Sequence, residues 1–455
     1  MKNALLVLVL GLAIAAGPAC AAPSTPSGEE GASGTAQAAH SFIASPGRGG
    51  TTAIGAETFL SSLGVNTHVD QGYNPDFYAP ALRFLGVRNI RDGERNLAGD
   101  IMLHRRDGIR VDVVGADVSG LIAAARTLAE AGALLSIEGP NEPNNFPITY
   151  AGQRGGGTSG SWLAVAKLQR DLYRAVKSDP VLRHYPVFDV SEGGAENDNV
   201  GLQFLTIPAG AGTVMPEGTR YADYANAHNY VSGNGDGYVN NQAWLAADPT
   251  LNGRWDGLFG EYGITWKRHF RGYPNARLQT LPRVTTETGW DSVSDVGGER
   301  TQGVVLVNTY LAQFTRGWRY TFIYELGDGQ GGSGHQGLFR SDWTPKPAAI
   351  DIHDLTSILA DDRPVAAPGR LDYSIPNQPA TVHDLLLQKS DGLFELVVWG
   401  EQVFGSNAIT IRLGGVHPEV KIYDVTIGAR PIETLHDVST VPLMVSDHAM
   451  IVEID

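Results

Sequence analysis

The chain has 455 residues, with 34 lysines and arginines against 49 aspartates and glutamates, and a net charge of −15. This acidic balance argues against a nucleic-acid partner and against docking on an anionic membrane, because both need a basic surface. A hydrophobic content of 42 % excludes wholesale disorder, and the single cysteine excludes an internal disulfide and cysteine-rich metal sites.

The first residues have the pattern of a secretory signal peptide, which we place at residues 1–21. A basic start precedes an apolar run over residues 4–16, and Ala19-Cys20-Ala21 has the small-residue pattern of a cleavage site. The apolar run is too short to cross a bilayer, so we expect no integral membrane anchor. We therefore expect a secreted or periplasmic protein, with lipidation of Cys20 as the alternative to cleavage.

The next stretch, residues 22–55, is rich in Gly, Ala, Ser and Pro and is expected to form a tether whose second half could still pair as a strand. Over residues 56–363, short β-branched runs then alternate with amphipathic stretches of helical spacing. The predicted strands are Leu63–His68, Val87–Asp92, Ile109–Val114, Leu134–Glu138, Val187–Ser191, Tyr224–Asn229, Arg283–Glu287 and Tyr320–Tyr324. The predicted helices include Pro75–Leu85, Val118–Ala131, Gly160–Lys177, Gly298–Arg316 and Pro347–Ala360. Eight such repeats favour a (β/α)8 TIM barrel, an α/β fold, over an open doubly wound sheet.

Residues 364–455 have a different pattern, with period-2 alternation separated by turn residues. The predicted strands are Thr381–Lys389, Leu393–Trp399, Ala408–Leu413, Val420–Thr426 and Met450–Ile454. Gly414-Gly415 is expected to form a turn between two of them. This pattern predicts a C-terminal antiparallel β-sandwich domain.

Polar side chains follow the predicted strands, and in a barrel the carboxyl ends of the strands converge on one face. Glu142 lies just after strand four and Glu287 at the end of strand seven. Retaining hydrolysis of a glycosidic bond needs two carboxyl groups about 5–5.5 Å apart, one protonating the leaving oxygen and the other attacking the anomeric carbon. The two glutamates are therefore candidates for this pair.

Other polar and aromatic residues near the strand ends fit a carbohydrate site. Asn141 could hold the 2-hydroxyl of a sugar, and either Tyr230 or His228 could orient the attacking carboxylate. Flat apolar faces for a sugar ring are expected from Trp290, Tyr324 and Trp343.

Three motifs resemble those of clan A glycoside hydrolases. Residues 139–144 (Gly-Pro-Asn-Glu-Pro-Asn) look like the Asn-Glu-Pro signature after strand four, residues 285–290 (Thr-Thr-Glu-Thr-Gly-Trp) resemble the strand-seven nucleophile segment, and His228-x-Tyr230 matches a pattern after strand six. The layout is most similar to glycoside hydrolase family 39 and its relatives. The resemblance implies a retaining double-displacement mechanism without a cofactor.

The same resemblance implies individual roles. Glu142 would be the acid/base and Glu287 the nucleophile, with Asn141 as the 2-hydroxyl ligand and Tyr230 as the partner of the nucleophile. The implied partner is an oligosaccharide or polysaccharide of plant or microbial origin. The sequence departs from many clan members after strand eight, where Tyr324-Glu325 stands in place of Trp.

Several alternatives remain open from the residues alone. His68 is expected to contact sugar and not a metal, because no second ligand lies at metal-site spacing. Arg91 could contact substrate or form a buried pair with its neighbour, and Glu325 could be functional or form an ion pair. Glu138 competes with Glu142 but lies within a strand and could pair with Arg91. A non-catalytic carbohydrate-binding barrel and a transglycosylase with the same residues are the alternative functions.

Overall fold

The structure is a computed structural model that describes residues 50–455, apart from 158, 192, 194–199, 229, 233–241, 244–280, 294–296, 332–333, 362 and 403. The predicted signal peptide, Cys20 and residues 22–49 of the predicted tether lie outside the described residues. No helix in the described part of the chain is both long and apolar enough to cross a membrane.

The strands are numbered in chain order. They are β1 (Thr51–Thr52), β2 (Ile54–Gly55), β3 (Leu63–Asn66), β4 (Asn89–Gly93), β5 (Arg110–Val114), β6 (Leu134–Glu138), β7 (Ile148–Tyr150), β8 (Gln153–Gly155), β9 (Val187–Phe188), β10 (Ala225–Asn226), β11 (Val231–Ser232), β12 (Gln242–Ala243), β13 (Arg283–Thr288), β14 (Trp318–Ile323), β15 (Arg370–Leu371), β16 (Tyr373–Ser374), β17 (Val382–Gln388), β18 (Phe394–Gly400), β19 (Asn407–Asp424), β20 (Glu433–Val445) and β21 (Ala449–Ile454). The helices are α1 (Ala56–Leu60), α2 (Pro75–Leu85), α3 (Leu97–Asp107), α4 (Val118–Glu130), α5 (Leu163–Ser178), α6 (Gly298–Thr315) and α7 (Pro347–Ile358).

Eight parallel strands form a nearly closed barrel, which confirms the predicted TIM-barrel class. They follow one another in the order β10-β13-β14-β3-β4-β5-β6-β9, and an isolated parallel bridge between Phe188 and Tyr224 links the two ends. All eight predicted strands overlap these eight. Their residues are buried almost without interruption, as expected for parallel strands covered by helices on one side and the barrel interior on the other.

The C-terminal region is an antiparallel sheet, as predicted for a β-sandwich. Its strand order is β16-β19-β21-β18-β17-β2, with β20 also paired to β19. Strand β2 precedes the barrel and pairs in parallel with β17, and β1 pairs with β15. Residues 51–55 of the predicted tether are therefore strands of the C-terminal layers, because their backbone groups complete edges that would otherwise be unpaired.

The turn predicted at Gly414-Gly415 is not formed, since both glycines lie inside the continuous strand β19. The ladder between β19 and β20 shifts register between Arg412 and His417, which marks an irregularity in the strand and not its end. Glycine is required at 414 because a Cβ there would lie 2.5 Å from the Cβ of Asp372.

Several elements were not predicted from the sequence, namely α1, α3, the β7–β8 hairpin, β11, β12, β15, β16 and β20. Helix α3 has weak apolar periodicity, and only Gly99, Asp100 and Leu103 are buried in it. Residues 433–440 of β20 are mostly exposed on both faces, so the alternation used to identify strands is confined to residues 441–445.

The C-terminal sheet packs one face against the barrel. Leu387, Val397 and Trp399 belong to the same hydrophobic core as the barrel helices, whereas Leu386 and Val398 belong to a separate core within the C-terminal layers. Polar contacts add to this interface. Asn308 of α6 donates to the backbone oxygens of Gly400 and Asp447 at 3.0 and 2.9 Å, and Arg300 forms a bidentate pair with Asp447.

The interface makes stability depend on pH through His448. Burial lowers the pKa of His448, but its hydrogen bonds to Asp424 and Asp447 outweigh burial and raise the pKa to about 9. A raised pKa stabilises the folded state fully below the ordinary value of 6.5, and the stabilisation is lost as the pH rises through about 9. We expect this group to contribute on the order of 2 kcal/mol less to the free energy of unfolding at pH 9 than at pH 6.

Urea denaturation across this range checks the expectation. His448→Gln should flatten the decline, because glutamine does not titrate. His436→Gln, at an exposed position of β20, is the matched control and should keep the wild-type profile. A decline of the same slope in His448→Gln would contradict the assignment.

Candidate active site

An open cleft of about 1000 Å³ lies at the carboxyl ends of the barrel strands. Eight of the predicted site residues line the cleft, namely His68, Arg91, Asn141, Glu142, His228, Tyr230, Glu287 and Tyr324. The convergence of strand ends thus brings together residues that are up to 256 positions apart in the chain.

The carboxylate of Glu287, at the end of β13, is held by two donors. Arg91 donates to its Oε1 at 2.7 Å, and the hydroxyl of Tyr230 donates to its Oε2 at 2.7 Å. Both of its oxygens are therefore fixed by strong, charge-assisted or hydroxyl hydrogen bonds. The predicted pairing of Tyr230 with this carboxylate is present in the structure.

The carboxylate of Glu142 lies on the loop after β6 and contacts a different set of groups. Nδ1 of His228 is 2.7 Å from its Oε1, and Nδ2 of Asn145 donates to its Oε2 at 2.7 Å. The backbone of Glu142 has φ = 38°, a strained conformation that residues other than glycine rarely adopt. Gly193 leaves room for the carboxylate, because a Cβ at 193 would lie 2.8 Å from Oε1.

The two carboxylates are close together and have His228 between them. Glu142, His228 and Glu287 each present an atom within 4.8 Å of the others, and Nδ1 of His228 is 3.4 Å from Oε2 of Glu287. A cation could in principle share these three groups. Because the ionised carboxylate of Glu142 can only accept, Nδ1 of His228 is the donor in their 2.7 Å hydrogen bond.

His228 and Glu142 perturb each other's protonation in opposite directions. Burial raises the pKa of Glu142, but the hydrogen bond and charge of His228 outweigh it and hold the pKa at about 2. Burial lowers the pKa of His228, but the charge of Glu287 and the hydrogen bond to Glu142 outweigh it and raise the pKa. In the empty cleft the proton of this pair therefore resides on His228.

Arg91 does not pair with its neighbour Asp92. Instead it forms a bidentate pair with Glu138 at 2.8 and 2.9 Å, and also donates to Asn141 Oδ1 at 2.8 Å. Glu138 is fully buried below the cleft floor, so the interpretation that it is a structural partner of Arg91 is supported by the contacts. Asp92 accepts from Thr67 and from backbone groups.

His68 and Glu325 form a buried hydrogen-bonded pair. Nε2 of His68 is 2.8 Å from Oε2 of Glu325, and Gln71 donates to Nδ1 of His68 at 3.1 Å. Both ring nitrogens of His68 therefore already have a hydrogen-bond partner within the protein. Burial raises the pKa of Glu325 to about 7 even though the hydrogen bond to His68 opposes the change.

The three aromatic residues that were predicted to stack on sugar rings lie in different environments. Tyr324 lines the cleft, with its ring 5.5 Å from that of His68. Trp290 does not, because it is fully buried in the main hydrophobic core. Trp343 is half-buried and stacks on Phe77 at 5.8 Å, outside the residues that line the cleft. The sugar-facing roles expected for these two tryptophans therefore do not fit their positions.

Three residues of the site were missed. Asn145 contacts Glu142, and Asn66 is 3.2 Å from Nη1 of Arg91. Thr286 links Nε2 of His228, at 3.0 Å, to the buried polar groups below the cleft. Their positions next to strand ends were a usable signal, but their side chains have no titratable group that would single them out.

Comparison with known proteins supports the fold. No protein-family model matches the sequence, and no curated protein sequence matches it either. Solved structures do match. A family 39 glycoside hydrolase from Bacteroides cellulosilyticus WH2 is 15 % identical with a TM-score of 0.55, over 89 % of this chain and 82 % of that one.

Two further matches are of the same kind. A family 30 subfamily 8 xylanase from Clostridium acetobutylicum is 11 % identical with a TM-score of 0.53, over 89 % of this chain and 97 % of that one. A family 51 arabinofuranosidase from Xanthomonas axonopodis pv. citri is 12 % identical with a TM-score of 0.51, over 90 % and 98 % of the two chains. The chain therefore has the barrel fold of clan A glycoside hydrolases, with a layout like that of family 39.

The coupling of His228 and Glu142 can be measured directly. In His228→Phe the burial of Glu142 remains while the cation is lost, so its pKa should rise from about 2 to or above the ordinary glutamate value of about 4.3. Side-chain carboxyl ¹³C NMR titration would report the change. Asn145→Ala, which removes a weaker hydrogen bond, should give a smaller rise, and an unchanged titration in His228→Phe would contradict the coupling.

Proposed function

We propose that the protein is a retaining glycoside hydrolase with Glu287 as nucleophile and Glu142 as acid/base. The separation of the two carboxylates carries this proposal. Their nearest oxygens lie within 4.8 Å, which matches the spacing of about 5–5.5 Å in retaining enzymes and is too short for the 6.5–9.5 Å that admits a water in inverting ones.

In the first step, an oxygen of Glu287 attacks the anomeric carbon, and the bond from that carbon to the leaving oxygen breaks. The leaving oxygen takes a proton from Glu142. Tyr230 and Arg91 orient the attacking carboxylate through their 2.7 Å contacts. The oxygen of Asn141 is engaged by Arg91, so its amide NH₂ group is the part that donates to the 2-hydroxyl of the sugar.

The proton for Glu142 comes from His228. The negative charge of Glu287 is one cause of the raised pKa of His228, and this charge disappears as Glu287 bonds to the sugar. The proton then moves along the 2.7 Å hydrogen bond from Nδ1 to Glu142 and on to the leaving oxygen. Nucleophilic attack and acid catalysis are coupled because the two carboxylates share one histidine.

The second step reverses these changes. Glu142, now an ionised carboxylate beside a neutral His228, takes a proton from water while the water oxygen attacks the anomeric carbon. The bond from that carbon to Glu287 breaks, and the returning charge on Glu287 draws the proton back to His228. No cofactor is needed for either step.

The proposal also includes the domain boundaries and the location of the protein. These are a secretory signal at residues 1–21, a barrel over 56–363, a sandwich over 364–455, and a secreted or periplasmic location.

Replacement of the nucleophile tests the proposal. In Glu287→Ala, hydrolysis of aryl glycosides should fall by at least about 1000-fold, because the covalent intermediate cannot form. Added sodium azide fits the space left by the carboxylate and should restore release of the aryl group. The product should be a glycosyl azide of inverted configuration, identified by NMR.

Glu130→Ala, at an exposed position of α4, is the matched control and should behave as the wild type. Full activity in Glu287→Ala would remove the mechanism. If the wild type turns over none of a broad panel of aryl glycosides and polysaccharides, the alternative of a non-catalytic carbohydrate-binding barrel would be favoured instead.

A further inference from the structure

A second depression of about 660 Å³ adjoins the cleft on the side of β5. It lies between the N-terminus of α4 and the β7–β8 hairpin, and Ala116 lines both the cleft and the depression. Strand β7 also spans the boundary, since Ile148 lines the cleft whereas Thr149 and Tyr150 line the depression. The two spaces are therefore neighbours that meet at Ala116.

The size of this combined space exceeds that of a site for a small sugar. Pockets for small molecules typically have volumes of about 300–1000 Å³. The cleft alone is at the upper end of that range, and the depression adds more than half as much again. A ligand that fills both must be an extended chain.

One aromatic side chain lines each part of this path, Phe146 in the cleft and Tyr150 in the depression. Phe146 lines the cleft and is 62 % exposed, so its ring presents an apolar face that a sugar ring in the cleft could stack on. Its backbone N–H donates to the carbonyl of Glu142 at 2.8 Å, which fixes it close to the cleavage point. In the depression, Tyr150 is oriented by its hydrogen bond to Asp171 at 2.9 Å.

The charges along the path favour a neutral chain. Asp70 and Glu94 line the cleft and Asp117 lines the depression. Arg95 is an exposed cation at the cleft, but it already pairs with Asp70 at 3.3 Å. Arg91, the other arginine that lines the cleft, is paired with Glu138 and Glu287. Because the acids along the path outnumber its arginines and both arginines are already paired, the path would repel a polysaccharide that carries carboxylate or sulfate groups.

We propose that the cleft and the second depression form one groove that binds several consecutive sugar residues of a neutral polysaccharide. The inference rests on the proposed function, because it extends the same site. Contacts in the depression would be remote from the reacting bond, and such binding energy is expressed as faster turnover of longer substrates.

Chain-length dependence tests the proposal. Xylan, mannan and β-glucan oligosaccharides, from disaccharide to hexasaccharide, are compared with aryl glycosides in the full-length wild type. Within the series that is cleaved, kcat/KM should rise by about tenfold or more from disaccharide to hexasaccharide. A kcat/KM that does not change with oligosaccharide length would contradict the proposed groove.

Ala116→Trp narrows the passage between the two spaces at an exposed position. It should lower the ratio of kcat/KM for hexasaccharide to that for aryl glycoside by about tenfold, and Phe146→Ala should reduce hexasaccharide cleavage in the same direction. Ala123→Trp is the matched control, since Ala123 is exposed on α4 and lines neither space. An unchanged ratio in Ala116→Trp would also overturn the groove.

Binding separates this proposal from the proposed function. Isothermal titration of Glu287→Gln with the same oligosaccharides measures affinity without turnover. If the groove binds consecutive sugar residues, hexasaccharide should bind more tightly than disaccharide. Combining Ala116→Trp with Glu287→Gln should remove this difference in affinity. Equal affinities would refute the groove while leaving the retaining mechanism intact. Loss of the azide rescue with length-dependent binding preserved would refute the mechanism alone.

Discussion

The cleft depends on one buried cation, Arg91. It contacts the carboxylates of both Glu138 and Glu287, and an arginine with almost no exposure is tolerated only when its charge and donors are matched. Burial lowers the pKa of Arg91, but the charges of Glu138 and Glu287 outweigh burial and raise it. Because one guanidinium group holds Glu138, Asn141 and Glu287 together, the ends of β4, β6 and β13 are fixed relative to one another.

A second charge, on His228, gives the site its chemistry. Arg91 is permanently charged, so it can hold Glu287 in place but cannot supply a proton. His228 can supply a proton, because its Nδ1 is hydrogen-bonded to the carboxylate of Glu142, the second carboxylate of the site. The backbone of Glu142 adopts a strained conformation, and Gly193 has no side chain to occupy the space of the Glu142 carboxylate. Both features place this carboxylate within reach of His228 and the substrate.

The order and type of the elements followed from the sequence to a large extent. The eight barrel strands were predicted because buried parallel strands are continuous apolar runs, and Glu142 and Glu287 were identified because polar residues directly after such runs converge on one face. Residues whose environment depends on neighbours from other strands were harder. Trp290 lies just after β13, as Glu142 lies just after β6, yet the Trp290 ring is buried in the core whereas Glu142 lines the cleft. Nothing in their spacing from the strands distinguishes these outcomes.

Hydrophobic periodicity and strand-end polarity are local properties of the chain, and they were enough to predict the barrel, the C-terminal strands other than β15, β16 and β20, and most of the polar residues of the cleft. The pairing of those residues was set by the tertiary structure. It assigned Arg91 to Glu138 and Glu287 instead of Asp92, and it brought His228 between two carboxylates. Such pairings depend on distances between groups far apart in the chain, and these are set only when the barrel nearly closes.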